Sequence, residues 1–299
     1  MTDAENLRTR LARKPIVVAP GVFDALTAHL AAQAGFSTLY VSGAAIAYTR
    51  LGRPDIGLVA MSEVADTIAL IRDRVAAHLV VDADTGYGNA INVSRTVRLF
   101  ERAGASAIQL EDQAFPKRCG HLDDKALIPA DEMAGKIKAA LDARHSRETL
   151  VIARTDAVAV EGFERAVARA VSYRDTGADI LFVEAPKTRA ELERIPPAIK
   201  AVPLMANMVE GGKTPPLPAA DLETLGFSLV IFPGGIVRAL ARTANEFYAS
   251  LAANGTTEPF SNRMYDFTTL NDVIGTSELI ELGKKYEAAA PAGKKGRSI

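Results

Sequence analysis

The stretch EDQAFPKRCGHL, residues 111–122, holds the only cysteine of the 299-residue chain. Lys117, Arg118 and His121 crowd around Cys119, and the acidic pair Glu111–Asp112 lies just upstream. A thiol among cations is expected to have a depressed pKa and a useful thiolate fraction. The stretch is long and polar, with Pro116 and Gly120 as hinges, so it reads as a loop able to fold over a site. The plainer alternative is a mobile basic loop whose cysteine is incidental. One cysteine and one nearby histidine are too few soft ligands for zinc.

A second stretch, DADTGYG at 82–88, is acidic and then flexible. Strand period two puts Asp82 and Asp84 on one side, and Gly86 and Gly88 let backbone approach a ligand closely. Joined by Glu111 and by Asp55 of GRPDIG (52–57), these carboxylates form a set of hard oxygen donors. Such a set suits Mg²⁺, with Mn²⁺ as the alternative ion. The competing reading is a strand end whose aspartates cap the next helix. Arg154, in ARTD, can grip a substrate carboxylate with both arms of its guanidinium, or it can pair internally with Asp156 or Glu184. The GKT of EGGKTP (210–215) lacks the earlier glycine of a phosphate-binding loop.

The elements that must position these residues are legible as repeats. Apolar, β-branched runs occur at 15–20, 37–43, 78–84, 107–112, 150–156, 180–185, 203–208 and 229–234, each ending in polar or small residues. Near-continuous apolar runs suit parallel strands covered on both faces. Helical patterns lie between them, as at 24–35, 93–104 and 163–177, and each of these ends at glycine. Eight such alternations predict a (β/α)8 barrel. A site on that fold lies at the carboxyl ends of the strands. Those ends carry Ser42–Gly43, Asp82 and Asp84, Glu111–Asp112, Arg154 and Asp156, Glu184, Asn207 and Pro233–Gly234. Helical patterns at 239–255 and 261–290 exceed what one barrel needs, and suit a cover for the barrel or packing on another subunit. Residues 1–290 thus read as one barrel domain with a C-terminal helical extension, and 291–299 as a disordered tail.

Composition narrows the function classes. Lys and Arg number 35 against 36 Asp and Glu, a balance that offers no general field to nucleic acid or an anionic membrane. The amino terminus lacks the apolar stretch of a signal peptide, and no apolar run reaches membrane-spanning length. A single cysteine cannot form an intrachain disulfide, so a cytoplasmic location is expected.

Taken together, YVSGAA (40–45), GRPDIG, DADTGYG, EDQAFPKRCGH, ARTDA (153–157), FVEAP (182–186) and ANMVEGGKTP (206–215) resemble the isocitrate lyase / phosphoenolpyruvate mutase superfamily from about residue 15 to about residue 290. The KRCGH loop marks its carbon–carbon lyase branch, the methylisocitrate and dimethylmalate lyases. The resemblance implies a Mg²⁺-dependent lyase that cleaves a 2-hydroxy di- or tricarboxylate to a 2-oxo acid, pyruvate or glyoxylate, and a carboxylic acid. It also implies a homotetramer in which a C-terminal helix is exchanged between barrels. By the same resemblance Asp84 would be the main metal ligand, and Asp55, Asp82 and Glu111 would hold the metal's waters. Ser42, Gly43 and Ala44 would bind the 2-oxo acid portion, and Arg154 and Asn207 substrate carboxylates, with Glu184, Arg118 and Pro233 beside them. Tyr40 would help take the hydroxyl proton. Cys119 would be the acid on the other fragment, tuned by Lys117 and His121.

The chain departs from the pattern in places. Ala44 stands where methylisocitrate lyases read a second glycine, and MVEGGKTPP looks more like the dimethylmalate lyase side. FPGG (232–235) places Gly234 and Gly235 where a bulkier pair is usual, so a larger or less charged C3 substituent is expected to fit. Two other functions compete: an oxaloacetate hydrolase or decarboxylase on the same scaffold, and a catalytically inactive barrel used for binding.

Overall fold

The computed structural model describes residues 6–122 and 124–287; the tail expected at 291–299 lies outside them. Strands β1 (Val17–Val22), β2 (Thr38–Val41), β3 (His78–Asp82), β4 (Ala107–Glu111), β5 (Leu150–Thr155), β6 (Ile180–Val183), β7 (Leu204–Asn207) and β8 (Leu229–Phe232) form a closed parallel barrel in sequence order. Closure runs through β1 and β8, with Val17 opposite Leu229 and Pro20 opposite Phe232. This is the (β/α)8 barrel that the alternation predicts.

Local signals place the helices. Asp24 caps Ala25–Gln33 by accepting from Thr27 N at 2.7 Å. Helices Ala90–Ala103 and Phe163–Thr176 stop at Gly104 and Gly177, both left-handed at φ near +108° (109° and 107°). The apolar side chains divide into two clusters. One, including Val81, Ile108, Phe100 and Ile137, fills the space between strands and helices. The other fills the barrel interior with Val80, Ile152, Phe182, Met205 and Ile231. Leu7 and Leu11 of the first helix, Leu7–Leu11, belong to the interior cluster and stop the end where the strands begin. With that end sealed by apolar packing, the opposite mouth is left for polar chemistry.

The chain divides into two compact units at Ala239 and Leu240. The second contains most of helix Gly235–Asn254, a 3₁₀ turn Glu258–Arg263, and helices Phe267–Ile274 and Thr276–Glu287. Within it Phe247 stacks edge-on against Phe260 at 5.4 Å, and Arg263 pairs with Glu246. Phe267, Leu279 and Tyr286 are 87%, 64% and 68% exposed. No helix among the described residues is long and apolar enough to cross a membrane.

Candidate active site

A small cavity opens at the carboxyl ends of the strands, walled by residues that include Tyr40, Ser42, Cys119, Arg154, Asn207 and Pro233. After β2 the chain turns into the short helix Gly43–Ile46. Ser42 caps it, accepting from Ala45 N at 3.2 Å, so its hydroxyl is engaged while Ala44 lines the cavity. Gly43 backs onto the acidic cluster: a β-carbon there would lie 3.2 Å from Asp82 Oδ2. A π-helical turn, Ala47–Leu51, follows and carries Tyr48 into the cavity wall.

The acidic cluster sits where β3 and β4 end. Asp82 Oδ1 accepts from Asp84 N at 3.1 Å and from Gln109 Nε2 at 3.3 Å. Asp84 adopts φ +47°, a left-handed conformation that Asp tolerates better than most residues. Burial, reinforced by Asp82 and Asp55, raises its carboxyl to about 7 against the pull of Lys117. Burial also raises Glu111 well above the usual range, although Arg154 opposes it. Lys117 reaches into the cluster and makes ion pairs with Asp55 and with Asp84 Oδ1, the latter at 2.7 Å. The sequence expected it to tune Cys119; its ammonium pairs instead with buried carboxylates as their counter-ion. Among the described residues no three acidic, histidine or cysteine side chains form a ready cage for a metal, because Lys117 and Arg154 stand between the carboxylates. The donor chemistry nevertheless fits a divalent cation. Among the described residues Glu111 Oε1 is buried without a hydrogen bond, Asp84 Oδ1 has the Lys117 ammonium as its partner, and Asp55, Asp82, Asp84, Glu111, Asp156 and Glu184 outnumber Lys117, Lys125 and Arg154.

The KRCGH loop is folded over this mouth. Its base is a two-sided neck in which Ala114 N bonds Ala126 O at 2.8 Å and Ile128 N bonds Asp112 O at 3.0 Å. The Gln113 side chain holds the Arg118 backbone from both sides, at 2.9 and 2.8 Å. Cys119 N donates to Asp55 O at 3.1 Å. Arg118 is expected at the substrate; its half-exposed guanidinium reaches Asp124 of the same loop at 3.4 Å, although the residue borders the cavity. His121 Nδ1 accepts from Lys213 N at 3.0 Å, which leaves the ring proton on Nε2, 3.0 Å from Glu184 Oε1. Burial disfavours the Glu184 charge, but Arg154 and His121 outweigh it and hold the carboxyl below its usual range. Asn207 Nδ2 donates to the same carboxylate at 3.2 Å, and Asn207 Oδ1 is buried without a hydrogen-bond partner among the described residues.

Arg154 takes the internal pairing left open by the sequence. Its Nε and Nη2 grip Asp156 at 2.9 and 3.0 Å, and Nη1 lies 3.3 Å from Glu111. Asp112 is not at the mouth. Its carboxylate accepts from Thr155 Oγ1, Tyr173 OH and Asp156 N at 2.7, 2.8 and 2.9 Å, and so braces the ends of β4 and β5.

Three chemical expectations need correction. The Cys119 thiol is not depressed: burial pushes it up, Asp55 and Glu184 add to that, and the cations do not compensate. Its proton therefore stays on sulfur, which suits an acid and not a resting nucleophile. Tyr40 is fully buried, its phenol raised well above the usual range by burial and then by Asp82, and it donates to Gln109 Oε1 at 3.1 Å. It is thus no resting base. Gly234 and Gly235 do not leave empty space. Arg238 occupies it, and its Nη1 lies where a β-carbon on Gly234 would fall while it pairs with Glu210 at 2.9 Å. A guanidinium at that wall removes the reason to expect a less charged substituent.

Sequence reading missed Gln109, Tyr48, Lys125 and Arg238. Gln109 had a signal, since it precedes Glu111 by one strand period. Arg238 lies one helical turn beyond Gly234. Lys125 and Tyr48 had none, because loop and π-turn geometry decides where they point.

Comparison with known proteins follows the same lines. The family model described as phosphoenolpyruvate phosphomutase matches residues 7–252. The chain is 40% identical to 2,3-dimethylmalate lyase of Eubacterium barkeri over 96% of this chain and 99% of that protein. It is 46% identical to 2-methylisocitrate lyase of Aeropyrum pernix over 90% of this chain and 86% of that one. Oxaloacetate acetylhydrolase in complex with 3,3-difluorooxalacetate superposes with a TM-score of 0.89 at 31% identity, covering 96% of this chain and 97% of that one.

Proposed function

The chain belongs to the phosphoenolpyruvate phosphomutase family, within the PEP mutase/isocitrate lyase superfamily, and is a lyase of that superfamily; from that premise we propose a Mg²⁺-dependent carbon–carbon lyase acting on a 2-hydroxy di- or tricarboxylate of the 2,3-dimethylmalate or 2-methylisocitrate type. The observation that carries this reading is the placement of a protonated thiol, Cys119, on a loop closed over a cluster of buried carboxylates in which Glu111 Oε1 has no hydrogen-bond partner among the described residues. Asp84, with Asp82, Asp55 and Glu111, would hold the cation, and Mn²⁺ satisfies the same donors. Bound there, the cation supplies Lewis acidity to the oxygens of the 2-oxo fragment.

In cleavage the 2-hydroxyl proton would pass to a cavity-lining carboxylate of the acidic cluster, the C2 carbonyl forms and C2–C3 breaks, leaving the electron pair on C3 as the enolate of a carboxylic acid. Cys119 delivers its proton to C3, and the closed loop keeps water from competing. Ala44 and Gly43, at the start of a helix, present backbone N–H groups to the 2-oxo acid. Tyr40 and Gln109 fix Asp82, and Asn207 Oδ1 and Arg238 face the substrate's remaining polar groups. The exposed apolar residues of the C-terminal unit support a homotetramer with exchanged helices.

A screen with Mg²⁺ tests this reading: 2,3-dimethylmalate, 2-methylisocitrate, isocitrate, citramalate and oxaloacetate, followed by release of 2-oxo acid. Turnover of a 2-hydroxy acid is expected. The similarity to oxaloacetate acetylhydrolase favours one second reading, oxaloacetate hydrolysis. Turnover of oxaloacetate with silence on every hydroxy acid would establish it instead.

A further inference from the structure

The lid groups that bond or pair outside the lid include Lys117, Cys119 N, His121 and Lys125. The first three belong to residues that line the cavity, where an incoming substrate competes for their partners. Lys125 does not line it. Its side chain is 1% exposed, donates to the Gly120 carbonyl, and donates to Asp156 Oδ1 at 2.8 Å. Asp156 is completely buried, accepts both arms of Arg154, and is fixed from behind by its own N–H on Asp112. Gly120 in turn lies flat on Arg154, with no room for a β-carbon between them.

We propose that Lys125 is the positioning residue that locks the lid, tying the Gly120 carbonyl to Asp156 and, through Asp156, to Arg154. An ammonium is needed because two acceptors on different segments, one of them an anion, must be satisfied where water is excluded. Removing it leaves the Gly120 carbonyl unpaired in the closed state only. That shifts the lid toward opening, where water can bond the carbonyl. Lys125 touches no reacting atom and acts through Gly120 and Arg154.

The inference rests on the lyase reading for its kinetic consequence, but its structural consequence is read without substrate. In Lys125→Met, alkylation of Cys119 by iodoacetamide is expected to accelerate by at least about fivefold, the least that leaving a buried carbonyl unpaired implies. Hydrogen exchange across 115–122 should rise with it. Lys125→Arg, which keeps a cation and several donors, should return both toward wild type. With an active substrate, Lys125→Met should lower kcat more than it raises KM. Lys125→Gln, which keeps a neutral donor, serves if the methionine variant does not fold, and should lie between the two. A folded Lys125→Met or Lys125→Gln protein with wild-type Cys119 alkylation and lid exchange would overturn the proposal. An inactive wild-type enzyme with accelerated alkylation in the variant would sink the lyase reading and leave the lock standing.

Discussion

The ammonium of Lys117, carried by the lid, lies 2.7 Å from Asp84 Oδ1 at the end of β3. One side chain thus joins the loop bearing Cys119 to the cluster that would hold the cation. Lys117 is 3% exposed, and burial alone would lower its pKa; Asp84 and then Asp55 reverse that and hold it charged. Lid closure and charge balance are therefore one event.

Removing this cation exposes the imbalance. Lys117→Met leaves Asp55 and Asp84 buried without it, a change that costs roughly 3–5 kcal/mol when one partner of a buried pair is lost. The metal-free variant should melt well below wild type, and Mg²⁺ should raise its Tm more than it raises wild type's. Equal melting of the two metal-free proteins would contradict the pairing.

The thiol gives a pH signature. Because burial raises Cys119, little thiolate exists near neutrality. Alkylation of the free enzyme should be slow at pH 7 and should still be rising above pH 9, the reverse of an activated cysteine. A plateau reached by pH 8 would show a depressed thiol after all.

Gly120 is a steric requirement. A β-carbon would overlap Arg154 Nη2 and crowd the Glu184 carboxyl. Gly120→Ala should hold the lid away and misplace Cys119, lowering kcat/KM by about a hundredfold, as small misplacements of reacting groups do. Its Tm should change little, since an open loop relieves the clash.

Asp156 couples folding to acid. Although burial opposes ionisation, Arg154 and Lys125 hold its carboxyl at about 2, below its ordinary 3.8. A depressed carboxyl contributes stability that is present above the unfolded value and lost as pH falls through the folded one. In urea titrations Asp156→Asn should be less stable than wild type at pH 6, and the gap should narrow as pH falls from about 4 towards 2. A gap that is constant over that range would remove Asp156 from the account.

What could be read in advance follows from geometry. Parallel strands buried on both faces announce themselves as apolar runs, and their polar ends announce the mouth. Asp82, Asp84, Glu111, Arg154, Glu184 and Asn207 were therefore legible as one constellation. Their partnerships were not. Whether Arg154 meets Asp156 or a ligand, and whether Lys117 meets Cys119 or Asp84, depends on a loop path that spacing does not encode. The sign of the Cys119 shift failed for that reason, since neighbours in sequence were cations and the neighbours in space are dominated by burial. Gly234 misled because a missing side chain reads as space until Arg238 is seen to fill it.

The central claim is that Cys119 protonates the carbon released at C3, and isotope incorporation in D₂O tests it most directly. With an active 2-hydroxy acid and Mg²⁺, wild type should place one deuterium at that carbon with a single stereochemistry. Cys119→Ser, folded and still binding Mg²⁺, should lose about 10²–10⁴ in kcat, the range for a positioned acid, with any residual product labelled without stereochemical preference. Full activity and unchanged stereochemistry in Cys119→Ser would contradict the account.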